Sequence, residues 1–321
     1  MIARYDFAPL DGITKVVFRR VHHAMFGGAD RYFIPFFSPT DQHILTQRDR
    51  RELDRANNGD LPLVPQVMTC RAEDFLWAAE VAADLGYGEV NLNLGCPSGT
   101  VTAKGKGSGF LARPEDLDRF FDRVFSAVRL PVSVKTRLGY DTPEEFARLL
   151  EIYNRYPIAC LTVHPRIRKE KYRGPIHFDQ FRLAAEGSRN PVCYNGDLLT
   201  VEDCAAFERG YPSVEAVMIG RGGVADPALF RKIRGGGAAT RQELERFTAE
   251  LYRQYKEFYG QPQPASQRMK EVWFYLIHLF EDGGKLDKKL RRSRGPAAYE
   301  SIEAEIFQTL PLRTYATGPL I

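Results

Sequence analysis

The stretch Glu89-Val90-Asn91-Leu92-Asn93-Leu94-Gly95-Cys96-Pro97-Ser98 decides the reading of the fold. Its first six residues form an alternating run of strand length, and the Gly, Cys and Pro that follow end the run in a loop carrying a thiol. The pattern recurs on both sides. Comparable runs occur at residues 4–8, 31–36, 63–68, 132–136, 159–163, 192–194 and 216–219, each separated from the next by enough chain for a helix or a substantial loop. Amphipathic segments occupy 72–85, 114–128 and 143–153. Strand-like runs that alternate with helices in this way predict a (β/α)8 TIM barrel of the α/β class, since a parallel sheet requires a crossover between successive strands.

The chemistry gathers at one end of these runs. Their carboxyl ends carry Pro9-Leu10-Asp11-Gly12, Gln66, Asn93 with Gly95-Cys96-Pro97, Lys135 with Arg137, His164 with Arg166, Asn195-Gly196-Asp197 and Gly220-Arg221-Gly222. Barrel enzymes build their sites from the carboxyl-terminal ends of their strands, so these clusters are expected to converge on one mouth and the protein to be an enzyme.

Composition narrows the class further. With 44% hydrophobic and 27% charged residues among 321, the chain has globular usage and lies far from a disordered composition. No window approaches the ~20 consecutive apolar residues of a membrane span, and no apolar signal region follows Met1, so a cytoplasmic protein without membrane contact is expected. Five widely spaced cysteines lacking a Cys-x-x-Cys pair argue against a disulfide framework and against structural zinc, and no metal is expected. The formal charge is +4, but residues 268–294 hold eight Lys and Arg against four Asp and Glu, as large an excess as the whole chain. After Gly235-Gly236-Gly237 the strand rhythm stops. Thr240 with Glu243 reads as a capping box opening a helix with Leu244, Phe247, Leu251, Tyr255 and Phe258 on one face. Beyond an interruption at 261–264, Met269, Val272, Trp273, Leu276, Ile277 and Phe280 again recur at helical spacing. The expected organisation is a barrel over 1–236 and an all-helical domain over 237–321.

Asn195-Gly196-Asp197 and Gly220-Arg221-Gly222 stand in the loops after strands seven and eight, where barrel enzymes commonly hold a phosphate; the alternative is that each Gly ends a strand at a tight turn. Cys96 differs from Cys70, Cys160, Cys193 and Cys204, which read as inert buried thiols, because it sits between Gly and Pro on a mouth loop. The glycines of 104–109 predict a mobile stretch beside it. Lys135 lies on an otherwise apolar run, pointing inward or outward, and is either one half of a buried ion pair or a group awaiting an anion. His164 and Arg166 fall just past strand six, where a hydrogen-bonded structural histidine is the plain alternative. Taken together, these residues favour an enclosed anionic cofactor.

These residues also resemble the flavin-dependent tRNA-dihydrouridine synthases of bacteria. The matching stretches are Ala8-Pro9-Leu10-Asp11-Gly12, Asn93-Leu94-Gly95-Cys96-Pro97-Ser98, Val134-Lys135-Thr136-Arg137-Leu138-Gly139, Val163-His164-Pro165-Arg166, Asn195-Gly196-Asp197, Val217-Met218-Ile219-Gly220-Arg221-Gly222, Tyr172-Arg173-Gly174 and Arg268-Met269-Lys270. Six of these in the family's order make a specific match over most of the chain. The resemblance implies an FMN barrel joined to a helical tRNA-binding domain, with NADPH or NADH as reductant and a monomer acting on the D-loop of tRNA. It implies that Pro9, Leu10 and Asp11 line the isoalloxazine, that Gln66 bonds its pyrimidine edge, and that Lys135 and His164 face its N1/O2 side. Asn195, Gly196, Asp197, Gly220 and Arg221 would take the ribityl phosphate.

The implied reaction is hydride addition to carbon 6 of uracil, with protonation of carbon 5 by a positioned acid, for which Cys96 is the candidate. Asn93 and Arg166 are candidates to hold the uracil, and Arg268, Lys270, Lys288 and Arg292, with help from Lys104 and Lys106, to grip the RNA. A charge run of this kind is otherwise a solvated helix face. Two other readings stay open: a flavin barrel acting on a free pyrimidine such as dihydroorotate, and a non-catalytic RNA-binding barrel. The first has no need of a basic helical appendage, and the intact Cys96, Lys135 and His164 argue against the second.

Overall fold

The computed structural model describes residues 2–318. Eight strands follow one another: β1 (Arg4–Phe7), β2 (Arg31–Phe37), β3 (Leu63–Val67), β4 (Val90–Leu94), β5 (Val132–Gly139), β6 (Leu161–Ile167), β7 (Val192–Tyr194) and β8 (Ala216–Ile219). Each pairs in parallel with the next, and the ring closes where the Ala3 and Arg4 amides donate to the Glu215 carbonyl at 2.8 and 3.0 Å. The crossover helices bury apolar stripes. In the Pro114–Phe125 helix, a proline in the first turn and the acidic Glu115 and Asp116 suit the amino end, while Leu117, Phe120, Phe121 and Val124 recur on the buried face. The (β/α)8 class expected from the sequence is therefore the observed one.

Two strands run further than the sequence suggests. β5 continues to Gly139 and β6 to Ile167, with Arg137 pairing opposite His164 before the register shifts towards Gly139 and Ile167. His164 and Arg166 accordingly lie within β6 rather than past its end. Mutual pairing of the two strands extends them beyond the apolar runs that mark their starts.

The chain forms two compact units. The first comprises the residues up to Pro9, Asp30–Gly196 and Glu208–Met218, and holds the barrel wall. The second comprises Leu10–Ala29, Asp197–Phe207 and the chain from Ile219 onwards. Within the second unit, the glycine run at 235–237 is bridged: Arg231 donates to the carbonyls of Gly237 and Ala238 at 3.0 and 3.2 Å and pairs with Glu243 at 2.8 Å. Thr240 and Glu243 form the expected capping box of the Arg241–Tyr259 helix. The bonds from Arg231, then those from Thr240, lower the Glu243 carboxyl to about 2. The next helix already begins at Pro262, so the interruption expected through 264 is shorter; prolines at its first and third positions lack only amides that a first turn leaves unpaired anyway. Helices Gly284–Arg292 and Pro296–Thr309 complete the carboxyl-terminal region, where Trp273 is fully buried and donates to Glu303 at 3.0 Å.

The amino-terminal ends of the strands, the base of the barrel, hold an unusual interior layer. Asp6 is fully buried and accepts two bonds from Arg31, at 3.0 and 2.9 Å, and a third from Arg4 at 3.2 Å. Arg31 reaches Glu89 at 2.7 Å, and Arg4 reaches the Cys160 sulfur at 3.1 Å. Burial alone would depress the Arg31 guanidinium, but the bonds and charge of Asp6 and Glu89 raise it above its ordinary value. Cys160 is thus a hydrogen-bonded member of a polar layer rather than a plain apolar filler.

Candidate active site

At the other end of the strands, β4 and β5 pair so that Asn93 is opposite Lys135, and β5 and β6 so that Lys135 is opposite Thr162. Neighbouring residues in register share a face of the sheet. The chain Gln66, Asn91, Asn93 and Ser133 runs along that face: Gln66 donates to Asn91 at 2.8 Å, Asn91 to Ser133 at 2.8 Å, and Asn93 to Gln66 at 2.7 Å. All four are buried, and their amides are pinned by one another.

Asn93 does more than close this chain. Its carbonyl accepts the backbone amides of Gly95 and Cys96, each at 3.0 Å, which folds the chain tightly into the cysteine loop. On the far side, Ser108 donates its amide and its hydroxyl to the Cys96 carbonyl at 3.1 and 2.8 Å. The stretch expected to be mobile is therefore folded: Gly107–Ala112 forms a short 3-10 helix with Ser108, Phe110 and Leu111 buried. Gly107 has φ +56, and a Cβ there would come within 2.9 Å of the Cys96 carbonyl, so its glycine serves close packing. Cys96 itself is half-buried, as is Cys70, whose Sγ lies 3.7 Å from the Lys104 carbonyl; the reading of Cys70 as a buried thiol is corrected.

Lys135 has no hydrogen-bond or ion-pair partner among the described residues. Burial, then the positive charge of Arg137, lowers its ammonium to about 7. The ion-pair alternative raised by the sequence is not realised, since no salt bridge to Lys135 forms among the described residues. Arg137 is 1% exposed and also lacks a carboxylate. Its Nε donates to Gly95 O at 2.7 Å, its Nη1 to Ile167 O and Lys171 O at 3.1 and 2.7 Å, and its guanidinium lies 5.3 Å from the Tyr172 ring centroid. Burial lowers it to about 10, with the nearby Arg166 charge acting in the same sense. Arg137 therefore ties the cysteine loop to the loop after β6. Sequence reasoning gave it no role, although its position two residues beyond Lys135 on the same strand face was a usable signal.

His164 and Arg166 are both buried, 3.3 Å apart between ring and guanidinium nitrogens, and Arg166 Nε donates to Gly174 O at 2.7 Å. The Tyr172 ring stacks on His164 at 6.1 Å and is 48% exposed, a flat surface that sequence reasoning quoted in a motif without assigning it. Glu170 orders this loop by accepting the Ile167 amide and pairing with His177, both at 2.8 Å. Structure thus brings Gln66, Asn93, Cys96, Lys135, His164 and Arg166 onto the carboxyl-terminal side of one unit, with Arg137 and Tyr172 among them.

The remaining expected residues are placed as follows. Pro9 and Leu10 are half-buried, and the Leu10 amide donates to Thr14 Oγ1 at 2.8 Å. Asp11 is exposed and stands 3.9 Å from Lys15. Asn195 donates to Met218 O at 2.8 Å, and a Cβ on Gly196 would collide with the Tyr194 hydroxyl. In the second unit, Asp197 is ion-paired with Arg221, both largely buried. Arg268 donates to the Gly12 carbonyl and pairs with Glu271, and Lys270 donates to Ser293 O at 2.6 Å. Lys288 and Arg292 are exposed with no side-chain partner among the described residues. Among the described residues no group of His, Cys, Asp and Glu could hold a metal ion, and no helix is long and apolar enough to cross a membrane.

A family model described as dihydrouridine synthase (Dus) matches residues 6–301. A tRNA-dihydrouridine(16) synthase of Ralstonia nicotianae is 33% identical over 251 residues, spanning 76% of this chain and 76% of that protein. Its counterpart in Cupriavidus necator is 29% identical and spans 97% and 98%. A tRNA-dihydrouridine synthase B of Pasteurella multocida is 29% identical, spanning 71% and 68%. Among solved structures, morphinone reductase superposes with a TM-score of 0.53 at 15% identity, covering 74% of this chain and 87% of that one, a likeness of fold.

Proposed function

The chain belongs to the dihydrouridine synthase family, and from that premise we propose that it reduces uridine to 5,6-dihydrouridine in the D-loop of tRNA, with FMN bound in the barrel and NADPH or NADH as reductant. The observation that carries the cofactor reading is Lys135: a half-buried cation on the inner run of β5, lowered to about 7 and without an acidic partner, in register with the residue that anchors the cysteine loop. A buried charge is costly unless compensated, so a site that keeps one unpaired is suited to an anionic guest. A flavin that becomes anionic on reduction fits this requirement.

When bound, FMN supplies the hydride that reaches uracil carbon 6. Lys135 and His164 hold the anionic edge of the ring, Gln66 offers its remaining N–H to the pyrimidine side, and Pro9 and Leu10 give apolar surface. Asn195, Gly196, Gly220 and Arg221 take the ribityl phosphate, with Asp197 orienting Arg221 rather than meeting the anion. Arg166 stabilises charge developing on uracil oxygen 4, and Asn93 adds the N–H that Gln66 leaves free. The Cys96 thiol protonates carbon 5 and regains its proton from solvent. Because Asn93, Ser108 and Arg137 all bond the backbone at Gly95 and Cys96, the thiol is held by the protein before substrate arrives. Residues 237–321 serve as the tRNA-binding domain. Lys288 and Arg292 meet phosphates there, whereas the bonds of Arg268 to the Gly12 carbonyl and Glu271 give it a largely architectural part. The enzyme works as a cytoplasmic monomer.

The test is the ultraviolet-visible spectrum of the purified protein, combined with a dihydrouridine assay on tRNA lacking the modification. A yellow protein that releases FMN on denaturation and forms dihydrouridine is expected, and Arg221→Ala should retain less FMN, since a charge-assisted bond contributes roughly 1.5–3 kcal/mol. A colourless protein that takes up no added FMN would overturn the reading.

A further inference from the structure

The Pro262–Leu276 helix leaves one stripe open to solvent. Gln267, Lys270, Glu271, Phe274 and Tyr275 follow at spacings of three and four, so they share a face, and with Asp11, Ile13 and Arg291 they line a trough of about 390 Å³. Three kinds of chemistry meet in this lining. The half-buried Phe274 and Tyr275 rings pack edge to face at 5.1 Å. Lys270 and Arg291 supply positive charge: Lys270 spends one donor on Ser293 O, and Arg291 pairs with Asp287 while its guanidinium stands 5.8 Å from the Phe274 centroid, so each keeps further N–H donors. Gln267, Glu271 and Asp11 supply an amide and carboxylate acceptors.

Neighbouring charge bears on the occupant. The Gly284–Arg292 helix that carries Arg291 also carries Lys285, Lys288 and Arg292, all exposed and without a side-chain partner among the described residues. An apolar ligand would have no use for Lys270 and Arg291. An acidic peptide would use them but brings no flat ring for Phe274 and Tyr275. A nucleotide uses every component: a flat base for the rings, a phosphate for the cations, and base-edge donors for the carboxylates. The volume lies within the range of small-ligand sites.

We propose that this trough holds one unpaired nucleotide of the RNA substrate, its base against Phe274 and Tyr275 and its phosphate on Lys270 and Arg291. Acceptors at Asp11 and Glu271 favour a base with an exocyclic amine over uracil. The inference rests on the tRNA reading above and adds to it a second nucleotide site, separate from that of the reacting uridine.

The experiment measures binding of tRNA to the holoenzyme with each unpaired nucleotide outside the target made abasic in turn, for wild type, Phe274→Ala and Gln267→Ala. One abasic position should weaken wild-type binding about tenfold, the size of one base stack, and cause no further loss in Phe274→Ala. Gln267 is exposed, so Gln267→Ala keeps the fold and should show a smaller loss, about threefold, coupled to the same nucleotide; it decides the matter alone if Phe274→Ala misfolds. Additive losses at every position in a protein that still forms dihydrouridine would overturn the trough site and leave the tRNA reading standing. Failure of the wild type to bind or reduce tRNA would remove both.

Discussion

The base and the mouth of the barrel treat buried cations in opposite ways. At the base, Arg4 and Arg31 converge on fully buried Asp6, with Glu89 as a second carboxylate, so every charge has a partner and the guanidinium pKa values rise. At the mouth, Lys135 and Arg137 have no carboxylate and their pKa values fall to about 7 and about 10. Both sets sit inside one eight-stranded wall, so burial alone does not separate them. The difference is that the base is a finished electrostatic structure, whereas the mouth is left unfinished, and the proposed anionic cofactor would complete it. Arg137 shows how the protein tolerates the unfinished state: it spreads its donors over three backbone carbonyls, which satisfies hydrogen bonds without cancelling charge.

The largest effect expected at the mouth is chemical. Cys96→Ala should fold, bind FMN and accept electrons from a nicotinamide, yet form dihydrouridine about 10²–10⁴-fold more slowly, the usual contribution of a general acid. Single-turnover oxidation of the reduced flavin by tRNA isolates this step. An unchanged rate would remove Cys96 from the mechanism and assign the proton transfer to another group.

The contrast between the two ends can be tested directly with a pair of substitutions. Asp6→Asn leaves the half-buried Arg4 and Arg31 without their shared charge and should cost about 3 kcal/mol of stability. Lys135→Met should do the reverse in the flavin-free protein, raising stability by on the order of 1 kcal/mol, because it deletes a half-buried charge that has no partner. The pH dependence follows from the direction of the shift. Lys135 titrates near 7 when folded and near 10.5 when unfolded, so between those values the unfolded chain binds more protons and the cost fades as pH rises. The gain from Lys135→Met should therefore be full below pH 7 and vanish towards pH 10.5. Thermal unfolding across that range decides it; a loss of stability in Lys135→Met comparable to that in Asp6→Asn would show that the two ends are built alike.

The barrel was legible because each strand start is marked by a local run, and β7 and β8 match their expected bounds to the residue. The ends of β5 and β6 were not, since pairing between the two strands, rather than their own composition, carries them past Arg137 and His164. The orientation of Lys135 was open for the same reason: apolar Val134 and small Thr136 flank it, and only the register opposite Asn93 places it. The base layer was invisible because Arg4, Asp6, Arg31 and Glu89 come from three separate stretches of chain and each reads locally as a polar residue at or near a strand start. The folding of 104–109 was misjudged because its glycines serve close packing against Cys96 rather than mobility.

The smallest effect separates working charge from architectural charge in the helical region. Arg268 is spent on the Gly12 carbonyl and Glu271, whereas Lys288 and Arg292 stand exposed. If the exposed pair meets RNA phosphates, each contact releases counterions, and Lys288→Ala with Arg292→Ala should lower the slope of log affinity against log salt by roughly 1–2. The KM for tRNA should rise while flavin reduction without RNA stays the same, because that step uses only the mouth. The loss should be sequence-independent, since phosphates carry no base identity. A salt titration of tRNA affinity compares the double variant with wild type. Equal slopes would make this helix a solvated face and move the RNA grip to other residues.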